Sequence, residues 1–222
     1  MAQQSDLQID IVSDVVCPWC ILGYKQLETA LTLEGFSAEI RWHPFELNPH
    51  MPVGGQNLRQ HLAKKYGTTL ENSIKARKRL TEMGAELGFS FAYTDDMRMY
   101  NTNLAHQLLY WAKESAADPL ATVHALKMAL FEAFFTHRKP LDEIETLVAI
   151  AETIGLPGVE ARQALEDQRY RDNVREAEQH WQSLGIHGVP AVIFEGKHLV
   201  SGAQGVEGFR HILRSLRAGQ AA

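Results

Sequence analysis

The sequence has only two cysteines among its 222 residues, and neither a second CxxC nor a close HxxxH accompanies them. The four ligands of a structural zinc site are therefore missing. Basic residues bring no surplus either: 22 Lys and Arg face 27 Asp and Glu, a formal net charge of −5. That balance argues against nucleic acid as a partner, because nothing is left over to neutralise a phosphate backbone. No apolar run approaches the ~18 residues that span a bilayer, which argues against a membrane segment. Residues Met1 to Asp6 hold neither a cationic n-region nor an apolar h-region, so no secretory signal is visible and the expected compartment is the cytoplasm. Internal repeats and low-complexity stretches are absent. What remains is a globular composition in which 45% hydrophobic residues suffice for one large domain or two intimate ones.

The two cysteines that are present sit two residues apart, in Cys17-Pro18-Trp19-Cys20, between a β-like run (Leu7 to Val16) and a helix-like run (Trp19 to Leu33). A thiol at a helix N-terminus faces unpaired backbone N–H groups and the positive end of the macrodipole, and both favour the thiolate. The thiolate is the species that attacks disulfides. Cys20 follows one turn later and can reach back to close an intramolecular disulfide. As a structural staple such a bridge is of little use, since a four-residue loop hardly constrains the unfolded chain. Cytosolic disulfides are also rare unless catalytic or redox-sensing. The pair therefore reads as a thiol–disulfide device.

Along the chain, Leu7, Ile9 and Ile11 alternate with polar or smaller residues and predict a strand. Pro18 falls in the first helical turn, where its missing N–H costs nothing. Gly35 is a plausible stop for that helix. Ala38, Ile40 and Trp42 predict a second strand before Pro44, giving a right-handed βαβ unit. Residues 48–55, with two prolines and two glycines, read as a linker. Six helices are expected after it: Asn57–Tyr66, Leu70–Leu87, one capped by Asn101, one opened by Pro119 with Leu120, Val123, Leu126, Leu130 and Phe134 on one face, Asp142–Ile154, and Val159–Leu184. The charged run Glu71 to Arg79 reads as a solvated helix face. The β signal returns at residues 189–194, with a turn at 195–197, a partner strand at 198–200 and a closing helix over 205–217. The expected fold class is α/β: a thioredoxin-like β-α-β … β-β-α fold, residues 1–50 and 181–222, with an all-helical domain inserted over 51–180.

Four segments in this order carry a resemblance. Asp14-Val15-Val16-Cys17-Pro18-Trp19-Cys20, Trp42-His43-Pro44-Phe45-Glu46-Leu47-Asn48-Pro49, Tyr100-Asn101-Thr102-Asn103-Leu104-Ala105-His106 and Ser201-Gly202-Ala203-Gln204, together with Gly188-Val189-Pro190-Ala191, resemble the DsbA-like thioredoxin superfamily, and within it the FrnE branch. The likeness runs from about residue 7 to 217. It implies a dithiol–disulfide oxidoreductase or isomerase in which Cys17 attacks, Cys20 resolves the mixed disulfide, and Pro190 follows a cis peptide opposite the CxxC. Val189, Pro18 and Trp19 would then face substrate, and Asn101 and His106 would line the cleft. Without the family, Pro190 reads as the start of an edge strand, Asn101 as an N-cap, and His106 as a helix residue facing either way.

Other residues keep two readings. Asp14, three residues before Cys17, is a proton acceptor for Cys20 or a turn residue at a strand end. His43 reads as structural. Met97-Arg98-Met99-Tyr100 reads as core packing or as a pliable apolar rim. Trp19 puts no positive charge between the cysteines, so the expected potential is less oxidising than about −120 mV. No bound cofactor or metal is expected, with glutathione as a redox partner; protein or small-molecule thiols and disulfides are the expected partners, and relatives of this architecture raise the homodimer as an expectation. Two other functions compete: a glutathione-dependent isomerase or transferase of the kappa-class or 2-hydroxychromene-2-carboxylate isomerase type, and a redox-sensitive chaperone-like binding module. Those glutathione-dependent relatives typically have serine where this chain has Cys17, and the presence of both thiols favours redox work.

Overall fold

Strand β1 (Leu7–Ser13) is buried along almost its whole length, on both faces, as a central strand must be. It lies in a four-stranded sheet of order β2-β1-β5-β6. β2 (Ala38–Pro44) runs parallel to it, in a register that sets Ile11 beside Trp42. β5 (Ala191–Phe194) is antiparallel on the other side, with Ile11 beside Val192, and β6 (His198–Ser201) pairs antiparallel with β5. The computed structural model describes residues 7–220, so the expectation that residues 1–6 carry no secretory signal lies outside the described residues.

The crossover between β1 and β2 is helix α1 (Pro18–Glu34). Pro18 occupies its first position, and Gly35 ends it at φ +68°, where the Phe36 N–H closes on the Leu31 carbonyl at 3.0 Å. A residue with a Cβ would be strained in that left-handed conformation, so glycine is the natural stop. The last helix, α9 (Gly205–Gln220), packs against α1.

The segment between β2 and β5 holds seven helices among the described residues, one more than the sequence pattern suggests: α2 (Leu58–Tyr66), α3 (Leu70–Glu86), α4 (Asn103–Ser115), α5 (Pro119–Phe135), α6 (Ile144–Thr153), α7 (Gly158–Glu166) and α8 (Arg171–Ser183). The single helix expected over 159–184 is broken. Gln168 turns to φ +52°, its side chain donates to the Leu165 carbonyl at 2.9 Å, and the Arg169 N–H returns to Ala164 at 3.2 Å. Neither glycine nor proline marks this break, which is why periodicity runs through it. A second departure is the short ladder of β3 (Gln56–Asn57) with β4 (Arg98–Met99), in a region expected to be almost wholly helical.

One hydrophobic cluster runs through both parts of the molecule, with α5 and α8 lying against β2. The inserted helices are thus anchored on the sheet beside the start of α1. Among the described residues no helix is long and apolar enough to cross a membrane. The architecture is a thioredoxin-like α/β fold with a helical insertion.

Candidate active site

Cys17 is the N-cap of α1, with φ −92° and ψ 113°, and its side chain makes no capping bond to the helix. Its Sγ instead points across the fold, 3.8 Å from the Val189 carbonyl oxygen, to which the thiol donates. The Val189–Pro190 bond is cis. Pro190 is seated by the Ser201-Gly202-Ala203-Gln204 stretch, since the Gly202 N–H donates to its carbonyl at 2.8 Å. Its ring lies against Gly23 of α1: a Cβ at that glycine would come 3.3 Å from Pro190 Cγ and 3.5 Å from Ala203 Cβ. Ser201-Gly202-Ala203-Gln204 therefore matters because it wedges the Pro190 loop onto the helix that carries the dithiol.

Both cysteines are free thiols, and neither is a surface residue: Cys17 is 4% exposed and Cys20 0%. Cys17 is the more open of the two sulfurs, but only slightly, because the Val189 carbonyl faces it. Trp19, at 41% exposure, is the part of the motif that meets solvent. The two thiols are also unequal in chemistry. Burial pushes the Cys20 thiol well up, and its hydrogen bond to Cys17 and the charge of Cys17 push the same way. The backbone N–H of Asp14 and the charge of Lys127 work against this. Cys20 thus holds its proton until something changes at Cys17.

Asp14 is completely buried. Its Oδ2 accepts the Leu47 N–H at 2.8 Å and its Oδ1 lies 3.3 Å from His106 Nε2. That same nitrogen is 3.2 Å from the Phe45 carbonyl. A carbonyl only accepts, so Nε2 carries the hydrogen and shares it between the two oxygens. The Asp14 side chain thereby ties the end of β1 to the Pro44–Asn48 segment and to α4, while its backbone, not its carboxylate, reaches Cys20.

Asn101 belongs to a different part of the surface. It is not the N-cap of α4, which is Thr102; its Oδ1 accepts the Asn103 N–H at 2.9 Å and its Nδ2 donates to the Pro49 carbonyl at 3.2 Å. Asn103 in turn donates to Glu46 at 2.7 Å. Asn101, Glu46 and Glu178 line one polar cleft. Glu178 accepts the Glu46 N–H there, and burial, followed by the charge of Glu46, pushes its carboxyl up to about 7. His43 is structural, 2.7 Å from Asp10 Oδ1 and with its ring tilted against Trp181, centroids 4.6 Å apart. Met97 and Met99 are core residues, so the 97–100 stretch forms no apolar rim.

One residue of the site has no counterpart in the sequence reading. Lys127, on α5, is fully buried, and its charge acts on Cys20, Asp14 and Cys17. A signal for it exists: 120, 123, 127, 130 and 134 follow the a/d spacing of a buried helix stripe, and Lys127 is the one charged residue in that series. Among the described residues no cluster of His, Cys, Asp and Glu is arranged to hold a metal ion.

With this geometry in view, the comparisons with known proteins are consistent with one another. The model of the DSBA-like thioredoxin domain matches residues 8–214. The uncharacterized protein YwbO of Bacillus subtilis (strain 168) is 30% identical over 204 residues, 91% of this chain and 94% of that protein. The crystal structure of the probable DsbA oxidoreductase SCO1869 from Streptomyces coelicolor superposes with a TM-score of 0.85 at 30% identity, covering 94% of this chain and 89% of that one. The cytosolic disulfide reductase DsbM from Pseudomonas aeruginosa shares the fold, with a TM-score of 0.63 at 16% identity over 96% and 99% of the two chains.

Proposed function

Because the chain belongs to the family of the DSBA-like thioredoxin domain, we propose that it is a thiol–disulfide oxidoreductase that cycles Cys17 and Cys20 between dithiol and disulfide. The observation that carries this reading is the placement of Cys17 at the N-cap of α1, against the Val189 carbonyl, with the proton-holding Cys20 one turn behind it. Cys17, as thiolate, attacks a substrate disulfide and forms a mixed disulfide, releasing one substrate thiol. Cys20 then attacks Cys17 Sγ, closes the internal disulfide and releases the second. The inequality of the two thiols fits this order, since a Cys20 that holds its proton waits for the first exchange.

Trp19, Pro18 and the Val189–Pro190 backbone form the face that receives the substrate chain, and Asp14 with His106 fixes the loop behind it. The substrates are protein or small-molecule disulfides and thiols, in the cytoplasm. Glutathione is the small-molecule thiol we assign as redox partner, a choice supported by a structure of the Pseudomonas aeruginosa DsbM protein with GSH. The hydrogen-bonded pair of thiols favours redox exchange over a glutathione-dependent isomerase, which has no use for a resolving thiol. The helical insertion over 51–180 encloses the site, and the isomerase direction belongs to the same dithiol cycle.

The test is reduction of insulin in the presence of dithiothreitol. Wild-type protein is expected to accelerate it, Cys17→Ser to abolish the acceleration, and Cys20→Ser to arrest as the mixed disulfide. Full glutathione-dependent activity in Cys20→Ser would sink the reading in favour of the isomerase or transferase class.

A further inference from the structure

Lys127 has no part in the cycle just described, and its position needs a reason. The side chain is completely buried. Its Nζ donates one long hydrogen bond, 3.4 Å, to the Ser13 carbonyl, and lies 5.4 Å and 5.3 Å from the ring centres of Trp42 and Phe131. Among the described residues it forms no ion pair with a carboxylate. An ammonium held like this in a core is strongly disfavoured unless another charge compensates it. The groups whose charge it feels are Cys20, Asp14 and Cys17, and burial, opposed by these three, brings the lysine down to about 8. Asp14 already gives its oxygens to Leu47 and His106. Accepting hydrogen bonds does not remove a carboxylate's charge, so Asp14 and the two sulfurs all face the lysine, and of these the sulfurs are the groups whose charge changes during thiol exchange.

We propose that Lys127, supplied by the inserted helical segment, is the charge partner of the Cys20 thiolate in the step that closes the Cys17–Cys20 disulfide. The proposal rests on the dithiol reading above. In the mixed disulfide, Cys17 Sγ is bonded to a substrate sulfur. Cys20 loses its proton to solvent and its thiolate attacks Cys17 Sγ; the Cys17–Cys20 bond forms and the bond to the substrate sulfur breaks. That sulfur leaves with the bonding pair and takes a proton back from solvent, so two electrons pass from the dithiol to the substrate. The ammonium beneath the site lowers the cost of the one moment at which buried Cys20 is anionic. Trp19 places no charge between the cysteines; Lys127 provides one from below.

The other ionisable groups facing Lys127 are Asp14 from the β1–α1 turn, Cys17 and Cys20 of α1, His43 of β2, and His106, Tyr110 and Lys113 of α4, the last three sharing a narrow crevice with it and His43. Of these, Cys20 is the group that must change charge during closure. Lys127 is a positioning charge in this scheme, and its removal must be read in a pH profile and not in activity alone.

The experiment uses reduced full-length protein and a chromophoric aromatic disulfide. Its first reaction, at Cys17, releases one chromophore, and closure by Cys20 releases the second, whose first-order rate is followed between about pH 5 and 9. For Lys127→Met the second rate is expected to fall about tenfold or more at neutral pH, the size of effect an opposite charge has on a nearby ionisation. Its pH midpoint is expected to move to the alkaline side, and by more than that of the first release, because Lys127 acts on Cys20 more strongly than on Cys17. Lys127→Gln repeats the measurement if the methionine variant does not fold, and Lys127→Arg is expected to keep the wild-type midpoint. A Lys127→Met or Lys127→Gln protein with the wild-type rate and midpoint overturns the proposal. Wild-type protein that gives no second release overturns the dithiol reading and this inference together.

Discussion

Helix α5 contributes to two buried regions that could hardly differ more. Its C-terminal half places Phe131, Phe134 and Phe135 among Phe89 and Phe91, with ring centres 4.8–6.4 Å apart and mostly edge-to-face. Its middle places Lys127 beneath the dithiol, near the buried Asp14, which is in turn bonded to the buried His106. The aromatic region is what a core looks like when packing is its whole purpose. The floor of the dithiol keeps charge at a cost in stability, and that cost is tolerated where sulfurs must change ionisation. A third cluster, where Trp42 donates to His124 Nδ1 and leaves Nε2 to face the Tyr24 hydroxyl, which donates to Glu28, shows the intermediate case: polar groups satisfied in a closed chain.

The contrast makes predictions of decreasing size. Truncating Phe135→Ala in the aromatic region should cost about 3–5 kcal/mol in urea unfolding, because five rings lose a partner and the cavity cannot collapse. A loss as small as that of a surface substitution would break the comparison. Lys127→Met should do the reverse and stabilise the fold by about 2 kcal/mol below pH 8. The sign follows from a folded-state value of about 8 against 10.5 for a free lysine. The folded protein disfavours the charged lysine, the penalty is complete below about 8, and it fades as pH rises towards 10.5. The stabilisation should therefore vanish in strongly alkaline melts. A variant that is both less stable and unaltered in its closure rate would make Lys127 an ordinary packing residue.

The smallest effect is expected at Glu178, whose carboxyl lies at about 7 against the usual 4.5. Here the folded protein prefers the neutral acid, so its stability falls as pH rises from about 4.5 through 7. Glu178→Gln should recover about 1 kcal/mol at mildly alkaline pH, discounted for a half-exposed site, and nothing in acid. Equal gains at both ends of the pH range would show that the polar cleft is not under electrostatic load.

Local features were legible. The helix beginning at Pro18, its stop at Gly35, the opening of α5 by Pro119 and the positions of β1, β2, β5 and β6 depend on neighbours a few residues away. The break between α7 and α8 was not, because Gln168 takes its positive φ with the help of its own side chain and of Gln107, 61 residues distant. Asn101 was legible as part of a helix start but not as a bond to Pro49 across the cleft. Burial of the cysteines was hidden for the same reason, since it is Val189, 172 positions along the chain, that meets Cys17.

The sequence by itself determined that a dithiol would stand at the first turn of a helix, because capping and proline placement are short-range effects written into adjacent residues. The tertiary structure alone decided how far burial would hold the proton on Cys20, which carbonyl Cys17 would face, and that a lysine on an apolar helix stripe would end beneath them. Charge, burial and hydrogen bonding act through space, and the groups concerned are brought together from 92, 114 and 172 residues apart, distances over which sequence periodicity carries no information.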